Sequence, residues 1–590
     1  MKLKKSNKLI NGYNSFESNL LINRGITTEG EADYYFNANF DDLGDYWKIK
    51  DLKSCAYFIK EAIENKKKII IFGDYDVDGV VSTNIMYETL LDCGANVSWR
   101  LPCRIKEGYG ININAIKEII KQDYDLIITV DNGIRAINEI KYAREHGVDV
   151  VVLDHHVVGK EMPCANYVID LHRPDETYHF HHFAGCGVAF MMARALYFLF
   201  GFNDDYCKKH LDVVAIGTIA DVMDLIGENR ILVKEGLKII SNVETYNRLG
   251  ITYLLRLNYL SDNVSSTDIG FSIAPCLNAP GRLLENGADR ALELLLEKDT
   301  TKAKQLANYL YRVNEVRKEK TKEGLKLAEQ YIKDNFLIND NIIVLYLENM
   351  EEGIIGLISG KITEKYYRPS IVFTKNAKGN YKASARSIPT IDLYECLCSC
   401  HPLYLKYGGH EQAAGLEIKP KDFETLRMCL NTYIEDNYDK SCFDREVYYE
   451  LEVKNEEIDN NLMSKLEKFE PCGMGNPRPL LYIKEYPTIN RKTKYSNELK
   501  FYSLYGDNEQ HVTIYGEHSE IQGFYLGDKF NELNRPSTLS CLFTLEYADV
   551  CGVRQMVLVA NDINEAIISS PKTIRNVDVK NKIKNLVDLL

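Results

Sequence analysis

The chain has 590 residues, 45% of them hydrophobic and 27% charged; this excludes a disordered or low-complexity protein and calls for roughly three or four domains instead of one core. Its net charge of −13, from 85 acidic against 72 basic residues, argues against a protein that coats nucleic acid non-specifically, though not against a local basic groove. The start, MKLKKSNKLINGYNSF, lacks the apolar segment of a signal peptide, no apolar run reaches the length of a membrane span, and the fifteen cysteines are scattered; a cytoplasmic protein with reduced thiols is expected.

From Lys66 to about Asp221, apolar strand-like runs alternate with helix-like segments, the pattern of a mostly parallel sheet covered by helices. The first strand, KKKIIIF, runs into GDYDVDG at 73–79, which holds Asp74, Asp76 and Asp78. A helix over VVSTNIMYETLLDCG stops at Gly94. The strand ANVSWRL leads to PCRIKEGYG, the helix INAIKEIIKQ follows, and the strand DLIITV ends in Asp131, Asn132 and Gly133. After the helix AINEIKYAREHG, the strand VDVVVL ends in Asp154, His155 and His156. HLDVVAIGTIADVMDL stays apolar until Asp221 and Asp224 close a helix, and an acid after so apolar a run needs a partner. In open α/β sheets, ligand sites lie beyond the carboxyl ends of the strands, where these clusters fall.

Residues 301–334 are highly charged with apolar residues at helical spacing, and predict a helix of about 50 Å acting as a spacer. Beyond it, NIIVLYLE, GIIGLISGKITEKYY, SIVFTK and YKASARS predict a second α/β lobe ending in YGGHEQAAG. From about Asp439, alternating segments such as DREVYYELEV and LKFYSLYG predict a β-rich third domain.

Three aspartates at alternate positions raise one another's pKa unless something positive sits among them. An Asx-rich turn accounts for GDYDVDG in isolation. Together with Asp131, His155, His156 and Asp221, however, it supplies the carboxylate-rich, imidazole-containing set that Mn²⁺ or Mg²⁺ favours. Zinc is disfavoured, because no cysteine falls within these motifs. Two ions bridged by a carboxylate can clamp a phosphoryl group during in-line attack.

In that order, GDYDVDG, TVDNG, LDHH and GTIADVMDL resemble the four motifs of the DHH phosphoesterase superfamily, which includes pyrophosphatases, oligoribonucleases and cyclic-dinucleotide phosphodiesterases. NAPGRL at 278–283, SARS at 384–387 and GGHEQAAG at 408–415 resemble the core edge and DHHA1 domain of the RecJ family, and EPCGMGNPRP at 470–479 is similar to the segment that opens its oligonucleotide-binding (OB-fold) domain. The resemblance implies an N-terminal segment over 1–65 packing on the core, a parallel-sheet DHH core over 66–300, a helical spacer over 301–335, a smaller α/β DHHA1 domain over 336–420, and a β-rich OB-fold domain over 440–590. It also implies a 5′-to-3′ exonuclease that degrades single-stranded DNA to mononucleotides in DNA repair and recombination. By position, Asp76 and Asp131 would hold one of two divalent cations, and Asp78, Asp131, His155 and Asp221 the other, with Asp131 as the bridge. Asp74 would complete or orient the first site, and His156 would contact the scissile phosphate or assist the leaving oxygen. Arg282, Ser384, Arg386 and His410 would contact phosphate, with Gly408 and Gly409 letting backbone N–H groups approach. A monomer is expected, with a single-strand-binding protein or a helicase as partner.

Two other readings remain. A phosphodiesterase for short RNA oligomers or cyclic dinucleotides would not need residues 440–590, and a non-catalytic DNA-binding scaffold would be expected to have lost ligands. The chain also departs from the family. NMEEGIIG, with Glu351 and Glu352, stands where a tryptophan-histidine-proline-glycine stretch is usual; Pro102, Cys103 and Arg104 replace proline-histidine-arginine; and EYADVCGVRQ lacks a common tryptophan. YHFHHF, with His179, His181 and His182, reads as polar surface; CLCSCH, from Cys396 to His401, as buried thiols; GYG, Gly185 and Gly187 as turns. In the third domain, Arg491, Lys492 and Lys494 near Tyr482, Tyr486 and Tyr495 read either as phosphate and base-stacking contacts or as a solvated hairpin with ordinary strand tyrosines, while Arg478 either contacts phosphate or shapes the domain entrance. Arg100, Arg104, Lys361, Lys365 and Arg368 are candidate groove cations.

Overall fold

A computed structural model describes residues 2–4, 8–104, 106–242, 245–260, 263–445, 447–493, 496–506, 509–517, 519–550 and 553–565. The chain forms two compact units, one of residues 39–443 and 473–475, the other of residues 1–38, 444–472 and the described residues from 476 on.

The first unit begins with a five-stranded, all-parallel sheet in the order β2-β1-β3-β4-β5, built from β1 (Lys68–Phe72), β2 (Asn96–Arg100), β3 (Leu126–Val130), β4 (Asp149–Leu153) and β5 (Tyr167–Ile169). Alternation along the strands sends Ile70, Phe72, Ile127, Val150 and Val152 to one face, against Ile116 of helix α2 (Ile113–Lys121) and Ile140 of α3 (Ile137–Glu145). Ile69, Ile71, Ile128 and Val151 face the other way, onto α1 (Val77–Asp92), α4 (Gly185–Leu199) and α5 (Leu211–Ala220). Burial on both faces is why these strands read as continuous apolar runs. Because all run parallel, Gly73, Asp131, Asp154 and Asp170 emerge at one end of the sheet.

Helix α6 (Ala274–Leu283), with Pro280 inside it, precedes the 35-residue α7 (Thr300–Asp334). A second sheet follows in the order β9-β10-β8-β7-β6, from β6 (Ile343–Tyr346), β7 (Ser370–Lys375), β8 (Tyr381–Arg386), β9 (Tyr404–Gly409) and β10 (Ala413–Ile418). Helix α8 (Glu352–Tyr366) packs Ile354 and Ile358 between this sheet and Ala328 and Ile332 of α7. On the opposite face, Leu426, Leu430 and Ile434 of α10 (Phe423–Asn437) pack on Ile371, Phe373 and Ala385 beside the short α9 (Leu393–Ser399). Cys400 and Cys429 form a disulfide here, which corrects the expectation of reduced thiols throughout, and Cys398 of CLCSCH is exposed, not buried.

The second unit holds a seven-stranded sheet in the order β11-β12-β16-β17-β15-β14-β13, from β11 (Leu451–Glu452), β12 (Leu481–Pro487), β13 (Tyr502–Tyr505), β14 (His511–Tyr515), β15 (Glu520–Gly523), β16 (Thr538–Val550) and β17 (Val553–Glu565). DREVYYELEV does not make one strand. Tyr448–Tyr449 pairs with Lys2–Leu3, and the chain changes partner at Glu450, whose carboxylate meets Arg24 at 2.8 Å. Residues 1–65 therefore do not pack on the core as one segment. Leu20, Leu21 and Ala32 are buried with Phe469, Leu481 and Ile483, whereas Phe40, Leu52, Cys55 and Ile59 join the core of the parallel sheet. Among the described residues no helix is long and apolar enough to cross a membrane.

Candidate active site

Each acid at the strand ends is held by a specific local device. Asp74, directly behind β1, is fully buried; its Oδ1 accepts the Gly110 N–H at 3.2 Å, and its Oδ2 has no hydrogen-bond partner among the described residues. Asp76 caps α1, accepting the Gly79 N–H at 3.0 Å. Asp78, in the first turn of α1, is gripped by the N-terminus of α4, with the Gly185 N–H donating to Oδ2 at 2.6 Å and the Cys186 N–H to Oδ1 at 2.9 Å. Asp131 follows β3 in a left-handed conformation, with φ +59°, its N–H donating to the Leu153 carbonyl at 2.9 Å. Asp221 forms the C-cap of α5.

These elements converge on one imidazole nitrogen. His155 Nε2 lies 3.1 Å from Asp131 Oδ1, 3.6 Å from Asp221 Oδ2 and 3.8 Å from Asp78 Oδ2, yet it makes no hydrogen bond among the described residues. Two sets of donor atoms, from Asp131, His155 and His156 and from Asp78, His155 and Asp221, each gather within 4.8 Å. Behind them, Asp154 Oδ1 accepts the His155 and His156 N–H groups at 2.8 and 3.2 Å and lies 2.7 Å from His156 Nδ1, while Oδ2 accepts the Ile134 N–H at 2.9 Å.

Burial, then the charges of Asp78, Asp76 and Asp221, push the Asp131 carboxyl well above its ordinary pKa, and burial with Asp76 does the same to Asp74. Burial and the neighbouring His156 lower His155. Burial also opposes charge on His156, but its hydrogen bond to Asp154 outweighs this and raises its pKa to about 9. Buried like charges, an unpartnered carboxylate oxygen and an unpartnered imidazole nitrogen aimed at carboxylates fit hard divalent cations, for which oxygen with one or two imidazole donors is the suitable set.

A cleft of about 230 Å³ places Asp76, Asp78 and Asp221 together with Arg104, Arg282 and Arg386. Burial, then the charges of Arg104, Arg317 and Arg386, push Arg282 down to about 9, and its Nε has no partner among the described residues. Ser384 Oγ accepts from Arg386 Nη1 at 3.0 Å. Helix α8 can approach only because it presents glycine: a Cβ at Gly353 would lie 2.1 Å from the Arg282 carbonyl oxygen, and one at Gly356 would lie 2.9 Å from Ser384 Oγ. Gly408, Gly409 and His410 are exposed and do not line this cleft; Gly409 is required by the close approach of β10, where a Cβ would meet the Ala413 oxygen at 2.4 Å.

Several other expectations change. GYG is not a plain turn, because Gly110 holds Asp74 while the Tyr109 hydroxyl donates to the Asp131 carbonyl at 3.2 Å and lies 3.1 Å from the His156 ring. Gly185 and Gly187 belong to α4. His179, His181 and His182 face Glu228 at 3.0 Å, the Leu171 carbonyl at 2.5 Å and Asp224 at 3.6 Å. Of the groove cations, Arg104 lines the cleft, whereas Arg100 is taken by Glu107 and Glu118, Lys365 by Glu329, and Arg368 by the Phe443 ring; burial lowers the Lys361 pKa. In the second unit Tyr482 and Tyr486 are buried and unable to stack on bases, Arg491 pairs with Glu520, and Arg478 pairs with Glu470 and Glu546. Lys494 and Tyr495 lie outside the described residues. Asp154 and Tyr109 are the site residues that sequence reasoning passed over.

Residues 68–218 match the DHH family, N-terminal domain, residues 339–436 the DHHA1 domain, and residues 449–562 the RecJ OB domain. Fold and site thus define a DHH protein with DHHA1 and OB domains. The single-stranded-DNA-specific exonuclease RecJ of Bacillus subtilis (strain 168) is 35% identical over 521 residues, 87% of this chain, which spans 63% of that relative's length. The RecJ of Haemophilus influenzae is 33% identical over 449 residues, 73% of this chain and 77% of its own. A crystal structure of RecJ in complex with Mn²⁺ from Thermus thermophilus superposes with a TM-score of 0.77 at 27% identity, covering 95% of this chain and 76% of that one. The chain belongs to the RecJ family.

Proposed function

We propose that the chain is a metal-dependent phosphodiesterase that degrades single-stranded DNA from its 5′ end to mononucleotides. One observation carries this reading: carboxylates from the parallel-sheet lobe and guanidiniums reaching from both lobes share a cleft of about 230 Å³. Asp76 and Asp131 would hold one divalent cation, and Asp78, Asp131, His155 and Asp221 a second, with Asp74 orienting the first site. Mn²⁺ or Mg²⁺ bound there would supply charge neutralisation and Lewis acidity for attack of water on phosphorus. His156, kept protonated near neutral pH by Asp154, is suited to donate to an oxygen of the scissile phosphate. Arg282 and Arg386 are suited to bind non-bridging phosphate oxygens, with Ser384 fixing Arg386; a role for Gly408, Gly409 and His410 would require a strand extending past the cleft. The 5′ polarity rests on the family.

The large β-rich unit supports a polynucleotide substrate over a cyclic dinucleotide. The same reading places the enzyme in the cytoplasm, in DNA repair and recombination, as a monomer working with a single-strand-binding protein or a helicase. Incubation with Mn²⁺ and 5′- or 3′-labelled single strands, duplexes and cyclic dinucleotides, alongside Asp131→Ala, tests it. Rapid loss of the 5′ label from single strands, abolished in the variant, is expected; cleavage of cyclic dinucleotides alone would overturn it.

A further inference from the structure

Val222 holds a conformation that its residue type resists. It follows Asp221, the C-cap of α5, with φ +60°, in the left-handed region where a branched Cβ crowds the backbone and few residues other than glycine, asparagine and aspartate are found. The Val222 N–H donates to the Ile219 carbonyl and the Met223 N–H to the Thr218 carbonyl, both at 3.2 Å. These two bonds close a helix through a left-handed residue, a place that glycine fills at no steric cost. Both are backbone bonds, so the cap would close at least as well without the valine. What its side chain touches must account for it.

On either side of the turn, Ala220 and Met223 pack against the core of the parallel sheet. Val222 is half-buried and lines the cleft that also holds Asp76, Asp78, Arg282 and Arg386. The other large apolar members of that cleft are committed elsewhere: Val77 lies within the core, and Tyr75 packs on the core and carries the Arg104 guanidinium 5.0 Å from its ring centroid. Among the described residues, Val222 is therefore the branched apolar side chain that the cleft offers to a ligand. Strain of this kind is retained where the surrounding structure has a use for the side chain.

We propose that Val222 is a substrate-contact residue, whose isopropyl group packs on the deoxyribose of a nucleotide whose phosphate lies between the carboxylates and the arginines of the cleft. The sugar is the group within reach, because it is ester-linked directly to that phosphate and presents C–H surface, while the base stands beyond it. This rests on the nuclease reading of the cleft. A side chain that only braced Asp221 would act on the affinity for metal, and one packed for stability would act on the melting temperature alone.

The test uses the full-length chain, with Mn²⁺ binding followed by the electron paramagnetic resonance of the free ion, thermal melts, and kcat and KM on 5′-labelled single-stranded DNA. Val222→Gly relieves the strain and removes the contact. It is expected to melt no lower than the parent and to raise KM about 5- to 10-fold, with kcat and Mn²⁺ affinity changed less than about 2-fold. Val222→Ala keeps the strain, and is expected to show the same rise in KM while melting below Val222→Gly. Val222→Thr, which keeps the β-branched shape, is expected to hold KM within about 3-fold of the parent. A strand with abasic sugars at its first two positions should give the same KM ratio between Val222→Gly and the parent as an intact strand. A loss confined to intact strands would move the contact to the base and overturn the proposal. Parent-like KM in Val222→Gly, a Val222→Thr loss as large as that of Val222→Gly, or Mn²⁺ affinity weakened about 10-fold or more would do the same, and each leaves the nuclease reading intact. A parent chain that neither binds Mn²⁺ nor degrades single-stranded DNA would overturn both.

Discussion

Gly185 and Asp131 meet across the site with no room for a side chain between them: a Cβ at Gly185 would lie 2.6 Å from Asp131 Cβ and 2.8 Å from its Oδ1. The Gly185 N–H donates at the same time to Asp78, so one residue spaces two of the candidate ligands. Alanine there must displace either Asp131 or the start of α4. Misplacement of about 1 Å in a catalytic array costs on the order of 100-fold in rate, while overpacking costs about 1–3 kcal/mol of stability. Gly185→Ala is expected to lower kcat about 100-fold in a chain that still folds, as judged by kinetics and thermal melts on the same preparation.

The raised pKa values of Asp74 and Asp131 set the sign of an unusual pH dependence. A carboxyl whose folded-state pKa exceeds its unfolded value of 3.8 binds more protons folded than unfolded. Its contribution to stability is complete below that value and is lost as pH rises through the folded pKa, at up to about 1.4 kcal/mol per pH unit for each group. With a chelator present, the chain should melt at a lower temperature where these carboxyls are ionised than where they are protonated, that is, on the high-pH side of their raised folded-state pKa. Asp131→Asn should flatten that difference, and saturating Mn²⁺ should remove it by neutralising the cluster. A parent melting temperature at pH 8 indifferent to Mn²⁺ would contradict a metal site here.

Arg282 presents the opposite charge problem. Burial and three neighbouring guanidiniums make its cation costly, an arrangement that favours an anion between them. Arg282→Met removes the repulsion along with the binding group. A melting temperature at least equal to the parent's is expected, together with a KM for single-stranded DNA raised about 10-fold or more, since a charge-assisted hydrogen bond is worth about 1.5–3 kcal/mol. Inorganic phosphate should raise the melting temperature of the parent more than that of the variant, which differential scanning fluorimetry would measure.

The parallel sheet was legible because β1, β3 and β4 are short, buried apolar runs that lead into a glycine or an acid, and the approach of the strand ends follows from their being parallel. Asp154 was hidden because it supplies both histidines from behind, a role that needs the fold of the turn to be seen. The glycines of EEGIIG carried no signal in one dimension, since what excludes a side chain is the Arg282 carbonyl, about 70 residues away. Tyr482 and Tyr486 were misread for a local reason. The register of β12 against β16 shifts between Ile483 and Tyr486, so Tyr486 joins the core of Leu481 and Ile483, whereas Tyr482 is buried in a separate cluster with Val447, Tyr449 and Leu542. Nor could periodicity say which of two cores the helices Ser15–Asn23 and Glu29–Asn37 would join.

The acids of NMEEGIIG bear on the strand's path beyond the cleft. Glu351 caps α8 and pairs with Lys320, while Glu352, the first residue of the helix, pairs with Lys382 at 2.5 Å. The next residue, Gly353, abuts the backbone of Arg282. Half-exposed pairs of this kind are worth about 0–1 kcal/mol, little enough for a phosphate to replace the carboxylate. The glutamates neutralise two lysines that would otherwise be able to contact phosphate. Glu351→Gln combined with Glu352→Gln in an Asp131→Ala background should therefore bind single-stranded DNA more tightly at low salt. Each lysine freed to contact phosphate should steepen the slope of log affinity against log salt by about 0.7, and the difference from the parent should shrink as salt rises. Fluorescence anisotropy with a labelled oligonucleotide over a salt series reads both quantities, and an unchanged slope would mean that Lys320 and Lys382 face away from the strand.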